Sequence, residues 1–216
     1  MKECEGVVRI RRLELGELQT NCYIAAPDDG NDAVIIDPGL EGHRVLSEIE
    51  ALGLNVRYIL NTHAHFDHVG ANAELCERLE VPLALHPLDL PILRQAGGAA
   101  MFGVDSAQSP EPGMRLAHDQ VIEVGTLRFR VLFTPGHTPG HVSFYESAQS
   151  TLFDGDVLFN GGIGRTDMPG GNQESIIQSI REVLFALPDQ TDVYSGHGEP
   201  TTIGHEKLTN PWVRLA

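Results

Sequence analysis

The sequence predicts a mixed α/β (α+β) fold in a single domain spanning residues 1–216. Three observations carry that prediction. A chain of 216 residues is long for a minimal domain and short for two full ones. Apolar runs of strand type alternate with segments of helical spacing in both halves. Several of those runs end alike, with Gly, His or Asp just past the last apolar residue: "IIDPG", "ILNTHAH", "FTPGHTPGH", "LFDGD" and "YSGHG". The C-terminal edges of strands are where α/β proteins gather their chemistry.

Taken in order, "VVRIRRLEL" and "NCYIAAP" are strand-like, and "PDDGND" between strands is a turn. "AVIIDPG" reads as a buried strand stopped by Pro38-Gly39, followed by a helix through "EGHRVLSEIEALG" that ends at a glycine. "VRYILNTH" is another strand, "VGANAELCERLE" has helical spacing through Val69, Ala73, Cys76 and Leu79, and "PLALHP" is a short strand. Residues 98–119, rich in Gly, Pro and Ser, read as a long loop of the kind that covers sites. Strands resume with "VIEVG", "LRFRVLFTPG", "HVSFYE" and "TLFDGDVLF". "QESIIQSIREVLFALP" is the clearest helix, its stripe of Ile176, Ile177, Ile180, Val183, Leu184 and Leu187 being core packing. "DVYSGHG" is a last short strand.

Composition narrows the function classes. The formal charge is −15, from 30 acidic against 15 basic side chains, and no basic stripe is present, which argues against a nucleic-acid partner. No run approaches the ~18 apolar residues a membrane span needs. The opening "MKECEGVVRI" has charges where a secretory signal needs apolar residues, so the expectation is a cytoplasmic protein without a membrane partner. Cys4, Cys22 and Cys76 are odd in number and far apart, as reduced structural cysteines are. A homo-oligomer is compatible with the sequence.

The chemistry concentrates in "ILNTHAHFDHVGAN", where His63, His65, Asp67 and His68 fall within six positions. Repeated imidazoles in a buried loop need partners. His137, Asp156 and His197 stand at the ends of later strands. Imidazole and carboxylate suit zinc and similar divalent metals. Seven such groups are too many for one tetrahedral ion and fit two. His63 and His65, two apart, point to one side of an extended backbone. Asp67 and His68 lie where the chain turns into a helix, with a different reach, and the helix dipole favours an ionised Asp67.

"THAHFDHVG" resembles the His-x-His-x-Asp-His-x-Gly motif of the metallo-beta-lactamase superfamily. "IDPG", "TPGHTPGH", "DGDVLF" and "SGHG" resemble its other motifs, in order and spacing, over about residues 7–212. "GGIGRTDMPGGN" and "TTIGHEKLTNPW" look like the short bacterial form of its glyoxalase II-like hydrolase branch. The resemblance implies a four-layer αββα sandwich with metals at one edge. It implies a first ion on His63, His65 and His137, a second on Asp67, His68 and His197, and Asp156 bridging both. Asp37 matches a position that orients the ligand loop without touching an ion. The expected cofactors are two divalent ions, zinc first, with iron or manganese accepted by the same set. The implied reaction is hydrolysis of a small-molecule thioester or ester such as hydroxyacyl-glutathione, by a hydroxide shared between the ions, with Asp67 orienting it. Arg165 in "GIGRTD" matches a basic residue that contacts glutathione, and Lys207 is a weaker candidate. His43, His86, His118, His141 and His205 lie outside the ligand pattern and read as packing or surface residues.

Two branches of the same resemblance are disfavoured. The commonest zinc β-lactamases have cysteine where this chain has Asp156, and the RNA-cleaving branch inserts a second domain before the later motifs. The alternative is a persulfide dioxygenase of the same fold, with one Fe(II) on His63, His137 and Asp156. A metal-binding module without activity is a more distant reading.

Overall fold

A computed structural model describes residues 7–214. Cys4 lies outside them. Strand β1 (Val8–Leu15) opens an N-terminal sheet that continues through β2 (Thr20–Pro27), β3 (Asp32–Ile36), β4 (Asn55–Leu60), β5 (Leu83–Leu85) and β6 (Met114–Arg115). These six lie side by side in chain order, antiparallel from β1 to β3 and parallel from β3 to β6. A second six-stranded sheet follows, built from β7 (Val121–Val124), β8 (Leu127–Phe133), β9 (Val142–Glu146), β10 (Thr151–Gly155), β13 (Asp192–Ser195) and β14 (Thr201–Thr202), in the order β14-β13-β10-β9-β8-β7. Between β10 and β13, β11 (Leu158–Phe159) and β12 (Gly162–Ile163) pair as a small hairpin.

Side-chain alternation explains the layers. Along β2, Cys22 and Ile24 face outward while Tyr23 and Ala25 face the other sheet; along β3, Ala33 and Ile35 alternate with Val34 and Ile36 in the same way. Strands buried on both faces read as unbroken apolar runs, which is why "AVII" shows no polar alternation. The outward set packs against α1 (Gly42–Leu52) and α3 (Asn72–Leu79), through Val45, Ile49 and Leu75. Burying each of those side chains contributes about 1.5–3 kcal/mol. The second sheet turns Leu152 and Val193 outward, towards Ile176, Ile180 and Leu184 and towards Ile203. Phe129, Phe144 and Phe153 fill the space between the sheets. Helix, sheet, sheet, helix is the αββα order that the family resemblance implies.

Element by element, the differences are local. α1 ends at Gly53, whose φ of 62° only glycine adopts freely, as the sequence implied. The helix after the His cluster starts earlier than the apolar spacing suggests: α2 (Phe66–Val69) already contains Asp67 and His68, and α3 follows after a break at Gly70 and Ala71. Residues 98–119 are not wholly a loop. A 3-10 segment, Ala96–Phe102, precedes the irregular stretch, preceded itself by α4 (Leu90–Leu93), and β6 closes it. The long apolar stripe forms α5 (Gln173–Gln178), continued by a π turn over Ser179–Val183 and a 3-10 turn over Leu184–Ala186. The stripe still faces the core, since Ile176, Ile180, Leu184 and Leu187 are buried. "TTIGHEKLTNPW" contains a helix that no apolar period announces, α6 (Ile203–Thr209), started by the Thr202 hydroxyl accepting from the His205 N–H. Among the described residues, no helix is long and apolar enough to cross a membrane. Cys22 and Cys76 are free.

Candidate metal centre

The centre forms where the loops after β3, β4, β8, β10 and β13 meet at one edge of the two sheets. His63, His65, Asp67, His68, His137 and Asp156 are buried there, with His197 half-buried at the rim. Two triads of donor atoms result: His63, His65 and His137, and Asp67, His68 and His197, each with its ligand atoms within 4.8 Å of one another. Asp156 stands between them. Its Oδ2 is 3.5 Å from His137 Nε2 and 3.5 Å from His197 Nε2, and its Oδ1 is 3.5 Å from His68 Nε2. A third grouping, Asp37 with His63 and His68, is spent on hydrogen bonds.

Those hydrogen bonds set the tautomers. Asp37 Oδ2 accepts from the Thr62 hydroxyl at 2.6 Å, so that hydroxyl has its lone pairs left for the N–H on His63 Nδ1 at 3.0 Å. The same oxygen accepts from His68 Nδ1 at 3.1 Å. His137 Nδ1 donates to the Arg165 carbonyl at 2.7 Å, and His197 Nδ1 to the Leu18 carbonyl at 3.1 Å. Four rings therefore have Nδ1 tied to an acceptor and Nε2 turned inward. Metal-binding histidines are oriented in this way. His65 differs, meeting His137 Nε2 through its Nδ1 at 2.8 Å. Asp67 Oδ2 accepts from the Thr20 hydroxyl at 3.1 Å.

Among the described residues, three inward atoms, all buried, have no hydrogen-bond partner: His63 Nε2, His68 Nε2 and Asp156 Oδ1, the last two facing each other only as an ion pair at 3.5 Å. A buried polar atom left unsatisfied costs about 1–3 kcal/mol. Three in one place, all of metal-ligating type, fit a divalent cation as the missing partner. The backbone is shaped to allow this. Asp37 turns left-handed at φ 50°, costing about 1–2 kcal/mol, and so aims its carboxylate at Thr62 and His68. At Gly196 any Cβ would collide with Asp156 Oδ1 and the His68 ring.

Charge divides the two triads. Burial, reinforced by the neighbouring rings, pushes His63 well below the ordinary histidine range and His65 down to about 3. Burial also lowers His137. Burial opposes protonation of His68 and His197 too, but there Asp156 and Asp67 outweigh it, raising His68 and taking His197 up to about 9. Against burial, the same imidazoles hold Asp67 down to about 2 and Asp156 well below the usual carboxylate range.

Arg165, expected as a substrate contact, lines the cleft over the centre, but its guanidinium is held bidentately by Asp167 at 2.8 and 2.9 Å. Its closest tie to the centre is its backbone carbonyl, on His137. Lys207 pairs with Asp189 and is absent from the cleft lining. Two residues were missed. His141, read as packing or surface, is fully buried, stacks on His63 at 5.1 Å, and accepts from the Asp156 backbone N–H at 3.1 Å. The repeat in "TPGHTPGH" was the signal for it. Asp89, just after β5, accepts from Ala64 N, the Thr138 hydroxyl and Gly140 N at 3.1, 2.7 and 2.6 Å, tying together the loops that carry His63 and His137. Burial takes its carboxyl up to about 6 against those bonds. Its only cue was an acid just past a short strand, three residues after His86. His43, His118 and His205 are exposed, as expected, and His86 stacks on Phe133.

An αββα sandwich with a triad of histidines and a His/Asp triad around a shared carboxylate defines a class of metal-dependent proteins. The family model described as "Metallo-beta-lactamase superfamily" matches residues 15–197, and the chain belongs to that superfamily. It is 41% identical over 206 residues to the probable metallo-hydrolase YqgX of Bacillus subtilis (strain 168), covering 94% of this chain and 96% of that one. It is 38% identical over 209 residues to the hydroxyacylglutathione hydrolase GloC of Haemophilus influenzae, covering 95% and 98%. The solved structure of TTHA1623 in a di-iron-bound form superposes with a TM-score of 0.86 at 42% identity, covering 93% of this chain and 98% of that one.

Proposed function

We propose that the chain is a two-metal hydrolase of thioesters such as hydroxyacyl-glutathione. The observation that carries the reading is the set of three buried atoms without a hydrogen bond, His63 Nε2, His68 Nε2 and Asp156 Oδ1, at the meeting of two triads. His63, His65 and His137 would hold the first ion, Asp67, His68 and His197 the second, and Asp156 both. Zinc is the first choice, with iron or manganese accepted by the same donors. The likeness to GloC supports the thioester, and the di-iron form of TTHA1623 supports two ions.

A bound pair of divalent cations supplies a water acidified from about 15.7 towards ~7 and Lewis-acid stabilisation of a developing oxyanion. The chain supplies the rest. The Asp67 carboxylate, fixed by the Thr20 hydroxyl, orients the attacking water. Asp37, Leu18 O and Arg165 O hold the imidazoles in one tautomer, so no proton needs to move within the rings. Attack on the carbonyl carbon breaks the C–S bond, and sulfur leaves as a thiolate without obligatory protonation. Water and thioester give a carboxylate, a thiol and one proton. The partner is thus a small molecule. We propose the cytoplasm as its compartment.

The test is metal analysis of protein purified without added metal, with parallel assays on S-lactoylglutathione and glutathione persulfide. Two ions per chain and thioester hydrolysis are expected. One iron per chain with oxygen uptake on the persulfide would replace this reading by the Fe(II) dioxygenase on His63, His137 and Asp156.

A further inference from the structure

The cleft over the centre has a volume of about 1320 Å³, and its walls are largely apolar. The apolar surface begins at the centre itself. The Phe159 ring lies edge-on to His197 at 6.3 Å between centroids. Phe66, next to His65 in sequence, meets Phe102 at 5.5 Å. From there the wall reaches the rim, where Leu18, Phe102 and Val104 are 52%, 46% and 37% exposed. Large apolar side chains left in water beside a reactive centre mark a place where a ligand covers them.

Among the described residues, the cleft lining offers no unpaired base as counterpart for an anion. Arg44 is held by Glu41 at 2.8 Å and by the Glu14 carbonyl at 3.0 Å. Arg165 is held by Asp167. Glu17 also lines the mouth. At the mouth, Glu17 and Glu41 line the cleft beside the bases Arg44 and Arg165, and Asp167, outside the lining, neutralises Arg165, on a chain of formal charge −15. Exposed ion pairs are weakly held, so either arginine could be drawn away. An anion doing so would still leave the freed carboxylate beside it.

We propose that this cleft selects thioesters by an apolar acyl group laid along Leu18, Phe102, Val104 and Phe159, and has no dedicated site for the carboxylates of a thiol such as glutathione. The proposal rests on the thioester-hydrolase reading above. A phenyl or branched group on the carbonyl side covers exposed apolar wall while the carbonyl reaches the centre. A small hydroxyacyl group leaves that wall wet.

The test varies the two halves of the substrate separately on the metal-loaded enzyme. Replacing lactoyl by phenylacetyl on glutathione should raise kcat/KM by about tenfold or more, the scale of filling an apolar pocket. Replacing glutathione by uncharged N-acetylcysteamine at constant acyl group should lower it by less than about fivefold, the reach of one exposed ion pair. Calorimetry adds a readout other than turnover: the non-cleavable S-phenethylglutathione should bind more tightly than S-methylglutathione, with a more negative heat-capacity change. The variants Phe102→Ser and Leu18→Ser, both at exposed positions, should erase the phenylacetyl-to-lactoyl ratio and the difference between the two thioethers. A preference for lactoyl, a tenfold loss with N-acetylcysteamine, or ratios untouched by both variants would overturn the proposal and leave the hydrolase reading standing. Hydrolysis of none of the thioesters would overturn both.

Discussion

His63, His65 and His137 are three imidazoles held neutral by burial, with His65 down to about 3. Asp67, His68 and His197 form an ion-pair cluster, with His197 up to about 9 and Asp67 down to about 2. The first triad offers lone pairs at neutral pH. In the second, protons already neutralise the carboxylates, and a cation must displace them. Two sites built from nearly the same residue types thus differ because Asp67 and Asp156 face His68 and His197, while His63 and His65 face mainly other rings. Burial lowers a histidine unless several carboxylates outweigh it: His68 and His197 each face both Asp67 and Asp156, whereas His137, 3.5 Å from Asp156 alone, stays lowered.

The strongest way to break this comparison is Asp156→Ala, which removes the carboxylate shared by both triads. Metal analysis should find both ions lost, with thioester hydrolysis down on the order of 10³-fold or more. Asp67→Ala separates the triads: the second ion should be lost and the first retained, with kcat down about 10²-fold or more. Equal metal loss in the two variants would contradict a bridging Asp156. His141→Ala leaves the Asp156 backbone N–H without its acceptor, and metal affinity measured by competing chelators should weaken about 10–100-fold.

The smallest effect is on the stability of metal-stripped protein. Lowered values at His63, His65, His137 and His141 mean that the unfolded chain binds protons below about pH 6.5 that the folded chain refuses, so stability falls on acidification. Asp89 and Asp154, buried and raised to about 6 and about 7, oppose this as two groups against four. The raised His68 and His197 give stability that is complete below about pH 6.5 and is lost at higher pH, the His197 share as pH rises through about 9. Urea midpoints should therefore peak near pH 7. A steady rise from pH 5 to 9 would show that the second triad is not protonated as described.

What could be read from the sequence followed from density and period. The crowding of His63 to His68 needed no structure to be noticed, and the apolar runs ending in Gly, His or Asp placed the other candidates at strand ends. The outer layers were legible where a stripe repeats, as at Ile176 to Leu187. α6 was not, because its start rests on one capping hydroxyl and its buried Glu206 reads as a surface residue. Asp89 escaped because its function lies in three hydrogen bonds to loops distant in sequence. Arg165 illustrates a further limit. A motif flags the residue, while the atom joined to the centre is its carbonyl oxygen, which every residue type has.

The first sheet is made wholly from residues before Leu116 and the second wholly from residues after Gln120, joined across the exposed Ala117, His118 and Asp119. Neither triad is complete within one sheet: His137 and His197 come from the second, and the remaining members from the first. A chain cut at that joint would yield two fragments, each lacking a donor that the other carries. Because the first fragment alone carries His63, His65, Asp67 and His68, only the gain in metal affinity on adding the second would count reassembled molecules and gauge how strongly the two halves recognise each other.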